Sequence, residues 1–151
     1  RLHPILGEST MMIAGTVIPH PRARITRRGR AYMPARYMEW KREAAEQLRQ
    51  QWAGAEPLEG PLSIELVFFF DRPKSRRRKK TRDLVVPRMG RGDLDNSCKS
   101  VLDVLEDAGI YANDRQVSQL EASQWEAEIE PYIFIAIEPA EEFPRAQLKN
   151  H

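Results

Sequence analysis

The sequence predicts a single α+β domain in which a mixed β-sheet is combined with two main amphipathic helices. Three observations support this prediction. With 151 residues, the chain can bury one core of ordinary size. Its 41% apolar and 30% charged residues are typical of a globular protein. Its predicted elements follow the order β-α-β-loop-α-β-β, without the strict alternation of strands and helices that a doubly wound parallel sheet requires.

The first half of the chain predicts a strand, a basic loop and a helix. Residues 11–18 form a short apolar run that ends at the Pro-His-Pro sequence of residues 19–21, which predicts a strand followed by a non-helical loop. Pro34 is expected near the start of the helix. Between residues 36 and 52, apolar side chains recur at spacings of three and four, which predicts one apolar stripe. They are Tyr37, Trp40, Ala44, Leu48 and Trp52.

The second half begins with a run of β-branched and aromatic residues over 62–70, which predicts a strand. Residues 74–89 are basic and show neither a helical nor a strand period, so we expect a long exposed loop. Residues 93–109 predict the second helix, because their apolar residues fall on one side and Gly109 supplies a left-handed end.

The end of the chain predicts two further strands and a tail. Residues 117–125 and 129–137 are expected to pair as a final hairpin, and Pro131 favours an edge or a bulge there. We therefore expect one domain over residues 11–137, an N-terminal extension over 1–10 and an acidic C-terminal tail over 138–151.

The charges are strongly segregated along the chain. Residues 19–42 contain eight basic residues and one acidic residue, and residues 72–91 contain ten and one. Residues 92–151 contain four basic and thirteen acidic residues. This asymmetry favours a polyanionic partner, although a pair of solvated loops would give the same pattern. The basic residues of the two loops are Arg22, Arg24, Arg27, Arg28, Arg30, Lys74, Arg76, Arg77, Arg78, Lys79, Lys80 and Arg82.

Cysteine, histidine and hydropathy exclude several classes of site. The single cysteine, Cys98, excludes an internal disulfide and a cysteine-rich zinc site, which suits a reducing cytoplasm. His3, His20 and His151 show no metal-binding spacing and are interpreted as ordinary surface histidines. No apolar run approaches the ~20 residues that span a bilayer, so we expect a cytoplasmic protein without a membrane partner.

Three aspartates are the main candidates for chemistry. Asp93 and Asp95 stand two residues apart at the start of the second helix, where their side chains can converge. Two carboxylates ~5 Å apart repel each other by roughly 3 kcal/mol at an effective dielectric constant of about 20, so a buried pair must share a proton or hold a cation. Oxygen ligands favour Mg²⁺ or Mn²⁺ over zinc. Asp114, in the turn after the helix, could complete the site. The alternative is that the three residues are helix caps and a turn former.

Lys99 lies one helical turn after Asp95, on the same polar side as Asn96 and Asp103. Beside a metal and a phosphate, its ammonium group would stabilise developing negative charge. The alternative is an ion pair with Asp95 or Asp103 at the i,i+4 spacing, which contributes only ~0.2–0.5 kcal/mol. Both roles can coexist.

The order of these residues matches a known pattern. Residues 91–96 read Arg-Gly-Asp-Leu-Asp-Asn and are followed by Lys99, Gly109 and the Asn-Asp-Arg-Gln-Val sequence of residues 113–117. In this pattern the chain resembles the RusA family of Holliday junction resolvases. The resemblance covers roughly residues 11–137 and includes both basic stretches.

The resemblance implies a small homodimeric endonuclease of RusA-like fold, of a kind often encoded by phages. Such an enzyme resolves four-way DNA junctions by paired symmetric nicks in recombination and repair. The resemblance further implies that Asp93, Asp95 and Asp114 hold Mg²⁺ or Mn²⁺, that Asn96 lies beside them and that Lys99 acts at the phosphate. The basic residues of both loops would then bind the DNA backbone.

Two residues depart from the family pattern. Asn113 stands where many members carry an acid, and it is expected to support the site next to Asp114. Gln124 stands where many members carry a lysine. The first departure would weaken a secondary metal contact and the second would remove a phosphate contact, so both bear on the level of activity and not on the class of function. The alternative function, from a different class, is a non-catalytic DNA- or RNA-binding module with a decayed metal site.

Overall fold

A computed structural model describes residues 9–90 and 93–148 of the chain. Arg91 and Gly92 of the predicted signature, and parts of the predicted N-terminal extension and tail, lie outside the described residues. The elements are β1 (Ser9–Ala14), β2 (Arg24–Ile25), β3 (Ala31–Tyr32), α1 (Ala35–Trp52), β4 (Leu62–Asp71), β5 (Val86–Pro87), α2 (Leu94–Asp107), β6 (Val117–Ala127) and β7 (Tyr132–Pro139).

Five of the strands form one mixed sheet in the order β1-β7-β4-β6-β5. The central strand β4 pairs in parallel with β6 and in antiparallel fashion with β7. Helix α2 lies in the connection between β4 and β6, as a parallel pair requires. This architecture confirms the predicted α+β domain with a mixed sheet and two main helices.

The predicted hairpin between the last two strands is wrong. Both strands are present, but β4 lies between β6 and β7 and pairs with each of them. Inserting β4 satisfies the backbone groups on both of its edges, which is necessary because its alternate side chains, such as Leu66 and Phe68, are buried. Pro131 precedes β7, and its carbonyl group accepts a hydrogen bond from the backbone N–H of Gly15 (2.9 Å).

The two basic stretches contain more regular structure than predicted. The first folds into a small antiparallel hairpin in which β2 pairs with β3 and Gly29 adopts a φ of +80° in the turn. The second contains two short 3₁₀ turns, Lys74–Arg76 and Lys79–Thr81, and then β5, which pairs with the end of β6. The second stretch is therefore not the unstructured loop that its composition predicts.

The core lies between the helices and the sheet. Helix α1 packs against α2 and β1, and α2 packs against β6. The side chains of Leu48, Val101 and Leu105 are fully buried against the sheet residues Leu66 and Ile135. Burying a side chain of this size contributes about 1.5–3 kcal/mol, so α2 is held rigidly along its apolar side. Neither helix is long and apolar enough to cross a membrane, as judged over the described residues.

Candidate active site

The polar residues at the start of α2 are arranged around its first turn. Asp93 occupies the N-cap position with an extended backbone, and its side chain makes no capping hydrogen bond. Its carboxylate instead accepts a hydrogen bond from the side-chain amide of Asn96 (3.3 Å). The Asp95 carboxylate accepts the backbone N–H of Asn96 (2.9 Å). Both carboxylates are exposed to solvent, and Asn96 lies beside both of them.

A cavity of about 520 Å³ opens between α2 and β6. Four charged residues line it, and the rest of its wall is apolar. The charged residues are Asp95, Lys99, Asp103 and Asp114, and the apolar residues are Leu94, Cys98, Leu102, Leu120 and Ala122. The cavity thus brings together three of the four predicted catalytic residues, and Asp93 lies outside its wall.

Asp114 is positioned by a well-ordered turn. It begins the 3₁₀ turn Asp114–Gln116, and its backbone N–H donates to the Glu106 carboxylate in the last part of α2 (2.9 Å). The Asn113 side chain accepts the backbone N–H of Arg115 (2.8 Å), and the Gln116 side chain accepts the backbone N–H of Asn113 (3.3 Å). Asn113 therefore acts as a structural cap for the turn that carries Asp114.

Lys99 is exposed and, within the described part of the chain, forms no ion pair. The alternative interpretation, an ion pair with Asp95 or Asp103 along the helix, is therefore not what the structure contains. Lys99 lines the cavity, and its unpaired ammonium group is available to an anionic ligand.

The cavity offers carboxylate groups as donors to a metal ion. Among residues 9–90 and 93–148, no three histidine, cysteine or acidic side chains converge closely enough to hold an ion. The available donors are nevertheless carboxylate oxygens, which suit Mg²⁺ or Mn²⁺. Burial raises the pKa of the Cys98 thiol to about 11, which disfavours the thiolate form that a softer metal would bind. The residues fit a hard divalent cation by their chemistry.

His20 does not behave as the surface histidine that the sequence predicts. Its Nε2 atom lies 3.6 Å from the Asp103 carboxylate. Its ring packs edge-on against the buried Tyr37, with 5.4 Å between the ring centroids. The sequence offers no signal for this contact, because a loop residue before α1 meets a residue in the middle of α2 only through the tertiary fold.

Arg72 is a structural residue that the charge pattern does not distinguish from its neighbours. It is 3% exposed, and its guanidinium group donates to the carbonyl groups of Thr81 (2.8 Å) and Leu84 (2.7 Å). It also lies 3.9 Å from the Glu128 carboxylate. Arg72 therefore ties the second basic stretch to the end of β4.

Two of the predicted DNA-binding residues form ion pairs within the chain, and the Arg78 guanidinium group donates to the backbone carbonyl groups of Ser75 (3.2 Å) and Arg77 (2.8 Å). Arg76 contacts the buried Glu126 carboxylate (2.7 Å), and Arg77 contacts the Asp71 carboxylate (2.9 Å). The other ten are exposed and form no ion pair with a described residue: Arg22, Arg24, Arg27, Arg28, Arg30, Lys74, Arg78, Lys79, Lys80 and Arg82.

Comparison with known proteins agrees with the predicted resemblance. The family model described as "Endodeoxyribonuclease RusA" matches residues 14–138, which is more than half of the chain. A "Crossover junction endodeoxyribonuclease RusA" from Aquifex aeolicus (strain VF5) is 26% identical over 92 residues. This match covers 61% of the present chain and 60% of that relative. The chain therefore belongs to the RusA family.

Proposed function

We propose that the protein is a divalent-metal-dependent endodeoxyribonuclease that resolves four-way DNA junctions by paired symmetric nicks. Membership of the RusA family supports the class of reaction. The observation that carries the proposal is the cavity that unites Asp95, Lys99 and Asp114, which come from different turns of α2 and from the turn before β6. The corresponding role is in DNA recombination and repair, in the cytoplasm of a bacterial or phage-infected cell.

The residues of the cavity suggest separate roles in metal binding and in contact with the phosphate. Asp95 and Asp114, together with Asp93 at the start of α2, would hold Mg²⁺ or Mn²⁺. When bound, such an ion supplies a Lewis acid for the scissile phosphate and lowers the pKa of an attacking water. The unpaired Lys99 ammonium group would contact the phosphate and stabilise the extra negative charge of the transition state. Asn96 and Asn113 would orient Asp93 and the turn that carries Asp114.

The basic residues would supply affinity for branched DNA. Exposed arginines and lysines neutralise phosphates without reading the base sequence, which suits recognition of a junction by its shape. A four-way junction presents two equivalent strands, so a two-fold symmetric homodimer would place one cavity on each strand. Measuring the mass of the protein in solution, free and bound to a junction, tests this assembly.

The central test is cleavage of a labelled four-way junction with and without Mg²⁺. We expect Asp95→Asn and Asp114→Asn each to reduce the nicking rate by at least ~100-fold, the effect of removing one group that stabilises a transition state. Junction binding in Ca²⁺ should change little, because the phosphate contacts remain. Glu121→Gln is the matched control, since it removes an exposed carboxylate from β6 that does not line the cavity.

Two results would contradict the proposal. Nicking at the wild-type rate by pure Asp95→Asn protein would show that the cavity does not take part in the reaction. A wild-type protein that binds junctions but leaves them intact with Mg²⁺ and with Mn²⁺ would instead be the non-catalytic binding module.

A further inference from the structure

We infer that His20 is a positioning residue for the cavity: it engages Asp103 and thereby leaves the Lys99 ammonium group free for a DNA phosphate. The inference rests on the proposed function, because it assigns Lys99 a phosphate to contact. It concerns a contact between the loop that joins β1 to β2 and the middle of α2.

The loop that carries His20 is fixed to α2 at several points. The backbone N–H of His20 donates to the Asn96 carbonyl group (3.0 Å), and the Ser100 hydroxyl donates to the Ile18 carbonyl group (2.7 Å). The side chains of His20 and Asp103 are 22% and 28% exposed, and the His20 Nε2 atom lies 3.6 Å from the Asp103 carboxylate. The imidazole is therefore held beside Asp103 by its backbone as well as by its packing on Tyr37.

Lys99 stands four residues from both Asp95 and Asp103, the spacing at which a helix brings opposite charges together. Yet Lys99 pairs with neither of them. Each carboxylate has another partner, since Asp95 accepts the backbone N–H of Asn96 and Asp103 faces His20. The freedom of Lys99 thus depends on competing contacts made by both of its acidic neighbours.

The charged groups of α1 do not replace His20 in this role. Lys41 faces the same side of α2, but its ammonium group lies 3.2 Å from the Asp107 carboxylate. Tyr37 is buried there, and burial raises the pKa of its hydroxyl, so it carries no charge near Asp103. Within the described part of the chain, the His20 imidazole is the nitrogen-bearing side-chain group that lies within 4 Å of the Asp103 carboxylate.

Replacing His20 should therefore release Asp103 to compete for Lys99. We expect His20→Ala to lower kcat for junction nicking about 5-fold, the upper range for one exposed ion pair, with a smaller change in KM. His20→Gln, whose side-chain amide can reach the Asp103 carboxylate as a donor, should lose less. Adding Asp103→Asn to His20→Ala should restore the rate, because the competing charge is then gone.

A second readout does not require cleavage. In the absence of DNA, the rate at which a small acylating reagent modifies Lys99, followed by mass spectrometry, should fall in His20→Ala and recover in the double variant. Thermal unfolding of each variant separates this effect from a loss of packing on Tyr37.

The outcomes distinguish the inference from the proposed function. If the wild type does not cleave junctions, the proposed function fails, and the acylation rates still test the contact. If His20→Ala leaves both nicking and acylation unchanged, the inference is wrong. It is also wrong if His20→Ala is impaired and Asp103→Asn restores neither readout, because His20 would then act through packing alone.

Discussion

The two basic stretches of the chain have similar compositions and different structures. The first, around β2 and β3, exposes Arg22, Arg24, Arg27, Arg28 and Arg30 on a small hairpin that stands outside the main sheet. The second follows β4, is tied down by the buried Arg72 and joins the main sheet through β5.

This difference shows that a count of basic residues overstates the charge available to DNA. In the second stretch, Arg76 and Arg77 neutralise Glu126 and Asp71 of the same chain, and Arg72 is enclosed by carbonyl groups. In the first stretch, none of the five arginines has a carboxylate partner among the described residues. A paired arginine has less to gain from a phosphate, because the new contact replaces one that already exists.

The largest expected effect on stability is that of Arg72→Ala. This change leaves the carbonyl group of Leu84 without its side-chain donor, removes one of the two donors to the carbonyl group of Thr81 and takes away the cation that lies 3.9 Å from Glu128. We expect a loss of about 3 kcal/mol in the free energy of unfolding, measured by urea denaturation. Limited proteolysis should also cut the second stretch faster.

Lys74→Ala is the control for that change. Lys74 is an exposed cation in the same stretch, and its removal should alter the free energy of unfolding by less than about 0.5 kcal/mol. Equal stabilities for the two variants would mean that Arg72 does not organise the second stretch.

The next effect concerns the salt dependence of junction binding. Each phosphate contact contributes about −0.9 to the slope of log K against log salt concentration on duplex DNA. Replacing three unpaired residues with alanine, either Arg24, Arg27 and Arg28 or Lys79, Lys80 and Arg82, should reduce the steepness of this slope by up to about 2.7. Replacing the paired Arg76 and Arg77 should change the slope by less than the roughly 1.8 that two contacts would give.

A binding titration over a range of salt concentrations compares the slopes of the two triple variants with the slope of the Arg76 and Arg77 variant. If the slope decreased more in the Arg76 and Arg77 variant than in either triple variant, the proposed difference between paired and unpaired residues would be wrong. An unchanged slope for one triple variant would show that this stretch does not touch the DNA.

Much of the fold, and the grouping of Asp95, Lys99 and Asp114 around one cavity, could be predicted because the signals are local. The segment that forms α2 contains both its apolar stripe and the glycine that ends the helix. The aspartates lie at the start of this segment and just after it. The pairing of β6 and β7 with β4 could not be predicted in this way. Strands that are neighbours in the sequence usually pair as a hairpin. Here that preference is overridden because the backbone groups on both edges of β4 need hydrogen-bond partners.

The roles of individual charged residues were the least predictable part. Arg72 and Arg76 look alike in sequence, and their different environments depend on where β6 brings Glu126. The same holds for His20, which contacts Asp103 only after α2 has packed beside α1. Composition predicts that a surface is basic, but the tertiary contacts decide which of its charges are free.

The smallest expected effect comes from replacing a glycine with alanine, once in the hairpin of β2 and β3 and once at the end of α2 in the core. Gly29 and Gly109 have nearly the same backbone angle, with φ of +80° and +79°, and a Cβ atom at either position would meet no other atom within 4 Å. Alanine should therefore introduce a similar strain of about 1 kcal/mol at each site.

At Gly109, which ends α2, that strain should lower the free energy of unfolding by the same amount. At Gly29 it should open only the hairpin turn, so that urea denaturation is unchanged and junction affinity falls by no more than ~5-fold. A loss of global stability in Gly29→Ala equal to that in Gly109→Ala would mean that the first basic stretch folds as part of the core.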